Sequence, residues 1–150
     1  MKTNQAGLNL MKEFEGLRLE AYLCPANVPT IGYGNTFYPD GRKVKMGDKI
    51  TLQEAGEILQ AVLSEFESGV TRMVTSTVHP NQFSALVSFA YNVGLANFRR
   101  STLLRKVNAN PGDPSIRDEF LRWNKAGGRE LAGLTRRRKA EADLYFKNNP

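Results

Sequence analysis

Apolar residues recur at helical spacing along most of this chain, but residues 22 to 50 break that rhythm with aromatics, β-branched residues and glycines. A stretch of that composition cannot continue a helix. With the turn sequence Pro39-Asp40-Gly41 inside it, it reads as a small antiparallel sheet with hairpins. Helices flank it. Asn4 can cap a first helix whose apolar face is Leu8, Leu10 or Met11, and Phe14, stopped by Gly16. Thr51-Leu52-Gln53-Glu54 is a capping box opening the longest helix, with the stripe Leu52, Ala55, Leu59, Val62, Phe66, Val70 and Met73. Asn81 to Val93 reads as a second strongly apolar helix ended by Gly94, and Ser101 to Val107 as a short one. Asp113-Pro114 offers an N-cap followed by proline at N1 for a helix carrying Ile116, Phe120 and Trp123. Gly127-Gly128 breaks that helix, and Thr135 caps a last one through Phe146. The predicted fold class is α+β, a mostly helical body with a small N-terminal antiparallel β-lobe joined by the long helix from Thr51.

A chain of 150 residues, 41% hydrophobic and 24% charged, is long enough for one compact domain with a real core. We expect a single domain over 1–150, with a β-lobe at about 20–50 and a helical lobe at about 51–150 plus the N-terminal helix. No apolar run approaches the roughly 18 residues a membrane span needs. Residues 1 to 14 lack an apolar h-region and a small-residue cleavage site, so neither a signal peptide nor an anchor is expected. One Cys excludes an internal disulfide, and one Cys with one His cannot build a typical structural zinc site. No metal or cofactor is predicted. The net charge of +6 points to a polyanionic partner, nucleic acid or the bacterial envelope.

The chemistry concentrates in the run from Lys12 to Thr36. Glu15 closes the first helix, Cys24 follows nine residues on, and Thr30 six later, inside Thr30-Ile31-Gly32-Tyr33-Gly34. The negative end of a helix disfavours a carboxylate, and a glycosidase needs a carboxyl still protonated near neutral pH to donate to the leaving oxygen. An exposed helix-end Glu paired with Arg18 is the plainer account of the same residue. Cys24 lies before Pro25 in a tight loop, where a thiolate could supply negative charge or the thiol could be a small buried hydrophobe. Gly32-Tyr33-Gly34 allows the backbone to pass close to a sugar ring.

This run resembles the active-site segment of the phage-type lysozymes, the endolysin muramidases of glycoside hydrolase family 24. The family has Glu, then Asp nine residues on, then Thr six later in a T-I-G-x-G turn. Glu15 and Thr30 match, and Cys24 stands where Asp is usual, as in relatives carrying C-P-A-x-V-P-T-I-G-Y-G. The resemblance extends through Phe89-Ala90-Tyr91-Asn92-Val93-Gly94 and Phe98 to Leu103, then Phe120 to Gly128 and Gly133 to Arg138. It implies a lysozyme-like fold with an active-site cleft between the lobes. It implies Glu15 as general acid, Cys24 in the Asp role and Thr30 positioning water. Tyr33, Gly34, Asn35, Tyr91, Asn92 and Ser101 would contact the sugars, with Asn35 replacing a more usual His. Trp123 sits on an amphipathic stripe, which suits a core anchor better than a sugar platform. The implied activity is hydrolysis of the β-1,4 bond between N-acetylmuramic acid and N-acetylglucosamine in peptidoglycan. The chain would act as a monomer, held in the host cytoplasm until a membrane lesion releases it toward the wall.

Three other readings stay open on the residues alone. A nucleic-acid module would suit the charge, but the aromatics lie in helical stripes and do not interleave with the basic residues, so no nucleic-acid partner is expected. A Cys-dependent peptidoglycan peptidase or amidase would use Cys24 with His79, which carry no local signature together. A catalytically weak wall-binding relative is the third. The basic run Arg136 to Lys139 reads as a solvated helix face, with Arg137 and Arg138 spaced to meet Glu141, or as electrostatic attraction to the anionic envelope.

Overall fold

The computed structural model describes residues 1–148. Seven helices and four short strands follow one another as α1 (Gln5–Glu15), β1 (Arg18–Leu23), β2 (Pro29–Gly32), α2 (Leu52–Met73), α3 (Pro80–Val93), α4 (Leu95–Arg100), α5 (Thr102–Ala109), α6 (Ile116–Leu121), β3 (Lys125–Ala126), β4 (Arg129–Glu130) and α7 (Ala132–Phe146). They form two compact units. Met11–Glu65 is the β unit; Met1–Leu10 with the chain from Phe66 onward is the helical unit. The boundaries fall within α1 and α2, and not at the edges of residues 20–50. No helix among the described residues is long and apolar enough to cross a membrane.

The β unit is built on the antiparallel pair β1–β2, in register at Tyr22↔Thr30 and Leu23↔Pro29. Ala21, Ile31 and Val44 form its core, with Tyr38 and Ile50 packed alongside. The Pro39-Asp40-Gly41 turn closes as expected, with Gly41 N–H donating to the Tyr38 carbonyl at 2.9 Å. The predicted capping box also forms, with Glu54 N–H on Thr51 Oγ1 at 3.1 Å and Thr51 N–H on Glu54 Oε1 at 3.0 Å. Leu52 departs from its stripe: it is 61% exposed, because the first turn of α2 precedes the packed face begun by Ala55, Ile58 and Leu59.

In the helical unit α3 is the central element, packed against α4 and α7. Phe89 on α3 meets Phe98, Phe120 and Trp123 edge-on, at centroid distances of 6.1, 5.7 and 5.6 Å. Trp123 is thus a core anchor. Such edge-to-face pairs contribute on the order of 1 kcal/mol each beyond the area they bury. Close approach has its own requirement at Gly7, where a β-carbon would stand 2.7 Å from Ser84 Cβ.

Several expected boundaries move for local reasons. α3 starts at Pro80 and is capped by His79, which accepts from the Gln82 N–H while Gln82 answers the His79 N–H at 3.0 Å. Asp113 does not cap α6. It accepts from Ser115 N–H at 2.9 Å in a turn, and α6 begins after Ser115. Gly127 and Gly128 do more than break a helix: both hold positive φ at the tip of the β3–β4 hairpin. That hairpin delivers the chain to α7 at Leu131, so Thr135 lies inside α7 and bonds back to the Leu131 carbonyl at 3.3 Å.

Candidate active site

Glu15 is the last residue of α1, and the Gly16 that follows has φ +72 and returns its N–H to the Lys12 carbonyl at 3.1 Å. The carboxylate meets a three-residue turn formed after β2. Ile31 and Asn35 exchange both backbone hydrogen bonds, at 2.8 and 2.9 Å, around Gly32, Tyr33 and Gly34. Only glycine takes the φ of +67 and +81 at positions 32 and 34 without strain. The second of these brings bare backbone to the acid, since a β-carbon at Gly34 would lie 3.1 Å from Glu15 Oε1. Tyr33 and Asn35 are buried beside it. Lys12, one turn before Glu15, sets its Nζ 5.7 Å from the centre of the Tyr33 ring. The structure therefore brings Glu15, Tyr33, Gly34 and Asn35 together, and adds Lys12. Its spacing of three from Glu15 on α1 was the available signal.

Cys24 and Thr30 are joined by the β1–β2 hairpin. The loop between them closes through Cys24 N–H on the Val28 carbonyl at 3.1 Å and Asn27 N–H on the Cys24 carbonyl at 2.7 Å. Asn27 takes the left-handed φ of 63 that Asn tolerates. The loop turns N–H groups toward a half-buried thiol. The Val28 N–H is the main cause holding the Cys24 thiol below its ordinary range, helped by the Thr30 hydroxyl and the Ala26 N–H against partial desolvation. Thr30 is only 3% exposed, and its hydroxyl donates to the Val28 carbonyl at 2.8 Å. One proton serves one acceptor at a time, so the Val28 carbonyl and the sulfur compete for this hydroxyl. The loop thus makes the thiolate easier to form than in a free thiol.

Tyr91, Asn92 and Ser101 belong to the helical unit. The Tyr91 ring lies 5.2 Å from that of Phe66. Asn92 is exposed at the end of α3, and its Oδ1 accepts from Arg138 at 2.9 Å. A guanidinium only donates, so Arg138 fixes the amide with its oxygen inward. Ser101 is 3% exposed and caps α5, accepting from Leu104 N–H at 3.1 Å and donating to the Phe98 carbonyl at 2.7 Å. Its hydroxyl has a structural task in that cap. His79 is likewise engaged, its Nδ1 accepting the Gln82 N–H at 3.3 Å, which removes it as a base for a Cys-dependent peptidase.

The basic run on α7 is only half solvated. Arg136 and Lys139 are exposed, whereas Arg137 and Arg138 are buried with Glu141. Arg138 Nε lies 2.8 Å from Glu141 Oε1 and Arg137 Nε 3.2 Å from Oε2, which also accepts from Ser88 Oγ at 2.5 Å. Burial pushes the Glu141 carboxyl up, while Arg138 and Arg137 pull it the other way. The i,i+3 and i,i+4 spacing anticipated the pairing. The desolvation depends on α3 and could not be read from α7.

The family model for phage lysozymes matches residues 12–141. Among characterised relatives, an endolysin of Bacillus phage B103 is 43% identical over 151 positions, covering 97% of this chain and 54% of that protein. The endolysin of Salmonella phage P22 is 36% identical over 142 positions, covering 95% and 97%. The chain thus spans about half the length of the Bacillus phage relative and nearly all of the Salmonella phage one. Among solved structures, an endolysin from Escherichia coli O157:H7 phage FAHEc1 superposes with a TM-score of 0.90 at 38% identity, covering 97% of this chain and 94% of that one.

Proposed function

Because the chain belongs to the phage lysozyme family, we propose that it is an endolysin cutting the β-1,4 bond between N-acetylmuramic acid and N-acetylglucosamine in peptidoglycan. The observation that carries this reading is the presence, within one unit, of a carboxyl seated on a glycine turn and of a hydrogen-bonded loop that lowers the pKa of its thiol. An acid and an anion are the two groups glycoside hydrolysis requires.

Glu15 donates its proton to the glycosidic oxygen as the bond to the anomeric carbon breaks. A water held between Cys24 and Thr30 attacks that carbon from the opposite face and yields its proton to the thiolate. The Cys24 charge meanwhile stabilises the oxocarbenium-like transition state, the task Asp has in relatives. Attack by sulfur itself would give a thioglycoside, which a carboxylic acid activates poorly for hydrolysis. The reaction therefore inverts, and needs a gap between Glu15 and Cys24 on the order of 6.5–9.5 Å, against about 5 Å for retention. Tyr33, Gly34 and Asn35 line the sugar site in the β unit. The whole chain works as one lysozyme-like domain and as a monomer. It accumulates in the host cytoplasm until a membrane lesion admits it to the wall.

The test is the chemistry of the released ends on purified peptidoglycan. New reducing ends without new amino groups are expected, the α-anomer first. New amino groups would make it a peptidase or amidase, and release of neither a wall binder. A β-anomer formed before mutarotation would overturn the inverting mechanism alone.

A further inference from the structure

Charge is divided unevenly along this chain. The β unit has 6 basic and 8 acidic residues, the helical unit 15 basic and 7 acidic. Much of that acid is already engaged. Glu141 pairs with Arg137 and Arg138, Glu119 with Lys106 and Arg122, and Asp143 with Arg117. Four exposed cations around the start of α7, Lys125, Arg129, Arg136 and Lys139, have no ion-pair partner among the described residues.

The backbone mounts them together. The β3–β4 hairpin carries Lys125 and Arg129, and is pinned to the first turns of α7 by Leu131 N–H on the Asn124 carbonyl at 2.9 Å and by Asn124 Nδ2 on Thr135 Oγ1 at 3.1 Å. Arg136 folds back over that same turn, its guanidinium 3.7 Å from where a β-carbon on Gly133 would stand. Lys139 follows three residues along α7. Glu130 is set across from Lys125 in the hairpin register without forming an ion pair.

We propose that this patch binds the phosphodiester backbone of an anionic wall polymer of the poly(alditol phosphate) class, separately from any glycan-cutting site. Unpaired cations mounted on a hairpin and on the helix it is hydrogen-bonded to suit closely spaced phosphates. Two other polyanions fit less well. Single-stranded nucleic acid is held largely by aromatic stacking, and the one aromatic nearby in sequence, Trp123, is edge-on against Phe89 in the core. A membrane surface needs an apolar wedge, and Leu131, 44% exposed, is the only exposed large hydrophobic on this segment. The choice of a wall polymer rests on the proposed site of action.

Binding of soluble poly(glycerol phosphate) to the full chain tests this at a series of NaCl concentrations. Each neutralised phosphate contributes about 0.7 to the slope of log Kd against log salt, so four contacts give a slope near 3. Combined Lys125→Gln, Arg129→Gln, Arg136→Gln and Lys139→Gln should lower affinity at least about tenfold and flatten the slope. Lys43→Gln with Lys45→Gln in the β unit should change neither. Hydrolysis of soluble phosphate-free glycan should be equal in all three proteins, which separates failure here from failure of the endolysin reading. A salt-independent wild-type Kd, a quadruple variant that binds as wild type, or equal loss in the control pair would overturn the proposal. So would tighter binding to poly(dT), or to vesicles of one part phosphatidylglycerol in four, than to poly(glycerol phosphate).

Discussion

The backbone of Gly34 lies against the carboxylate of Glu15, so closely that a β-carbon there would stand 3.1 Å from Oε1. Two demands therefore meet at position 34. The turn needs a φ of +81, and the acid needs the space a side chain would fill. Gly41 shares the first demand, with φ +89, but has nothing within 4 Å. The pair separates strain from contact. Gly41→Ala should cost about 1–2 kcal/mol, the penalty of a left-handed non-glycine residue, and leave hydrolysis untouched. Gly34→Ala should cost at least as much and also slow turnover. Urea melts and wall-clearing rates measure both. Equal rates in the two variants would deny the contact any part in function.

Glu15→Gln keeps the shape of the side chain and removes the transferable proton. Release of reducing ends should fall by at least about 10²-fold, the usual contribution of a general acid. Thermal unfolding should stay near that of the wild type, because Gln keeps the size of the side chain and its ability to accept hydrogen bonds. A variant still clearing walls at near wild-type rate would refute the acid role.

Cys24 should ionise more readily in the folded chain than in the denatured one, because the Val28 N–H and Thr30 hydroxyl favour the thiolate. The folded value is the lower of the two. The stabilisation is therefore fully present above the unfolded thiol's range and is lost as pH falls through the folded one. Alkylation rate against pH should show a midpoint below that of urea-denatured chain. Thr30→Val should raise that midpoint part of the way, since the main donor remains. A folded midpoint at or above the denatured one would rule out a loop that stabilises the anion. Cys24→Asp, ionised at neutral pH in the same place, should keep or raise activity, and Cys24→Ala should weaken it.

Glu141→Leu would remove the buried carboxylate that Arg137 and Arg138 share. Loss of one partner from such a cluster typically costs roughly 3–5 kcal/mol, measurable as a lower denaturation midpoint in guanidinium chloride. Asp143→Ala, which removes an exposed partner of Arg117, should cost no more than about 1 kcal/mol. Similar effects from the two would mean that the buried cluster is not special.

Features set by neighbouring residues were legible in the sequence, and features set by distant partners were not. The Thr51–Glu54 box and the Gly16 stop depend on atoms within one turn, and both form where expected. The spacing of Glu15, Cys24 and Thr30 was visible in the sequence, yet the contact of Gly34 with the Glu15 carboxyl appears only once the turn folds back on α1. α4 went unread because six residues between Gly94 and Ser101 are too few to show a period. The His79 cap was missed because an imidazole is an uncommon acceptor at that position. Gly127-Gly128 carried a hairpin signal that was taken for a simple break. The cap that Ser101 gives α5 was not legible, because a hydroxyl committed to a cap is indistinguishable in sequence from one open to solvent.

Glu141 and the two guanidinium groups that meet it lie within five residues of α7, while α3 contributes neutral groups, the Ser88 hydroxyl and the Asn92 amide. On a nascent chain this distribution has a temporal meaning. α3 leaves the ribosome before α7 and waits for it without holding an orphan charge in an apolar surface. When α7 arrives it already carries a carboxylate that offsets part of the charge on its two buried cations.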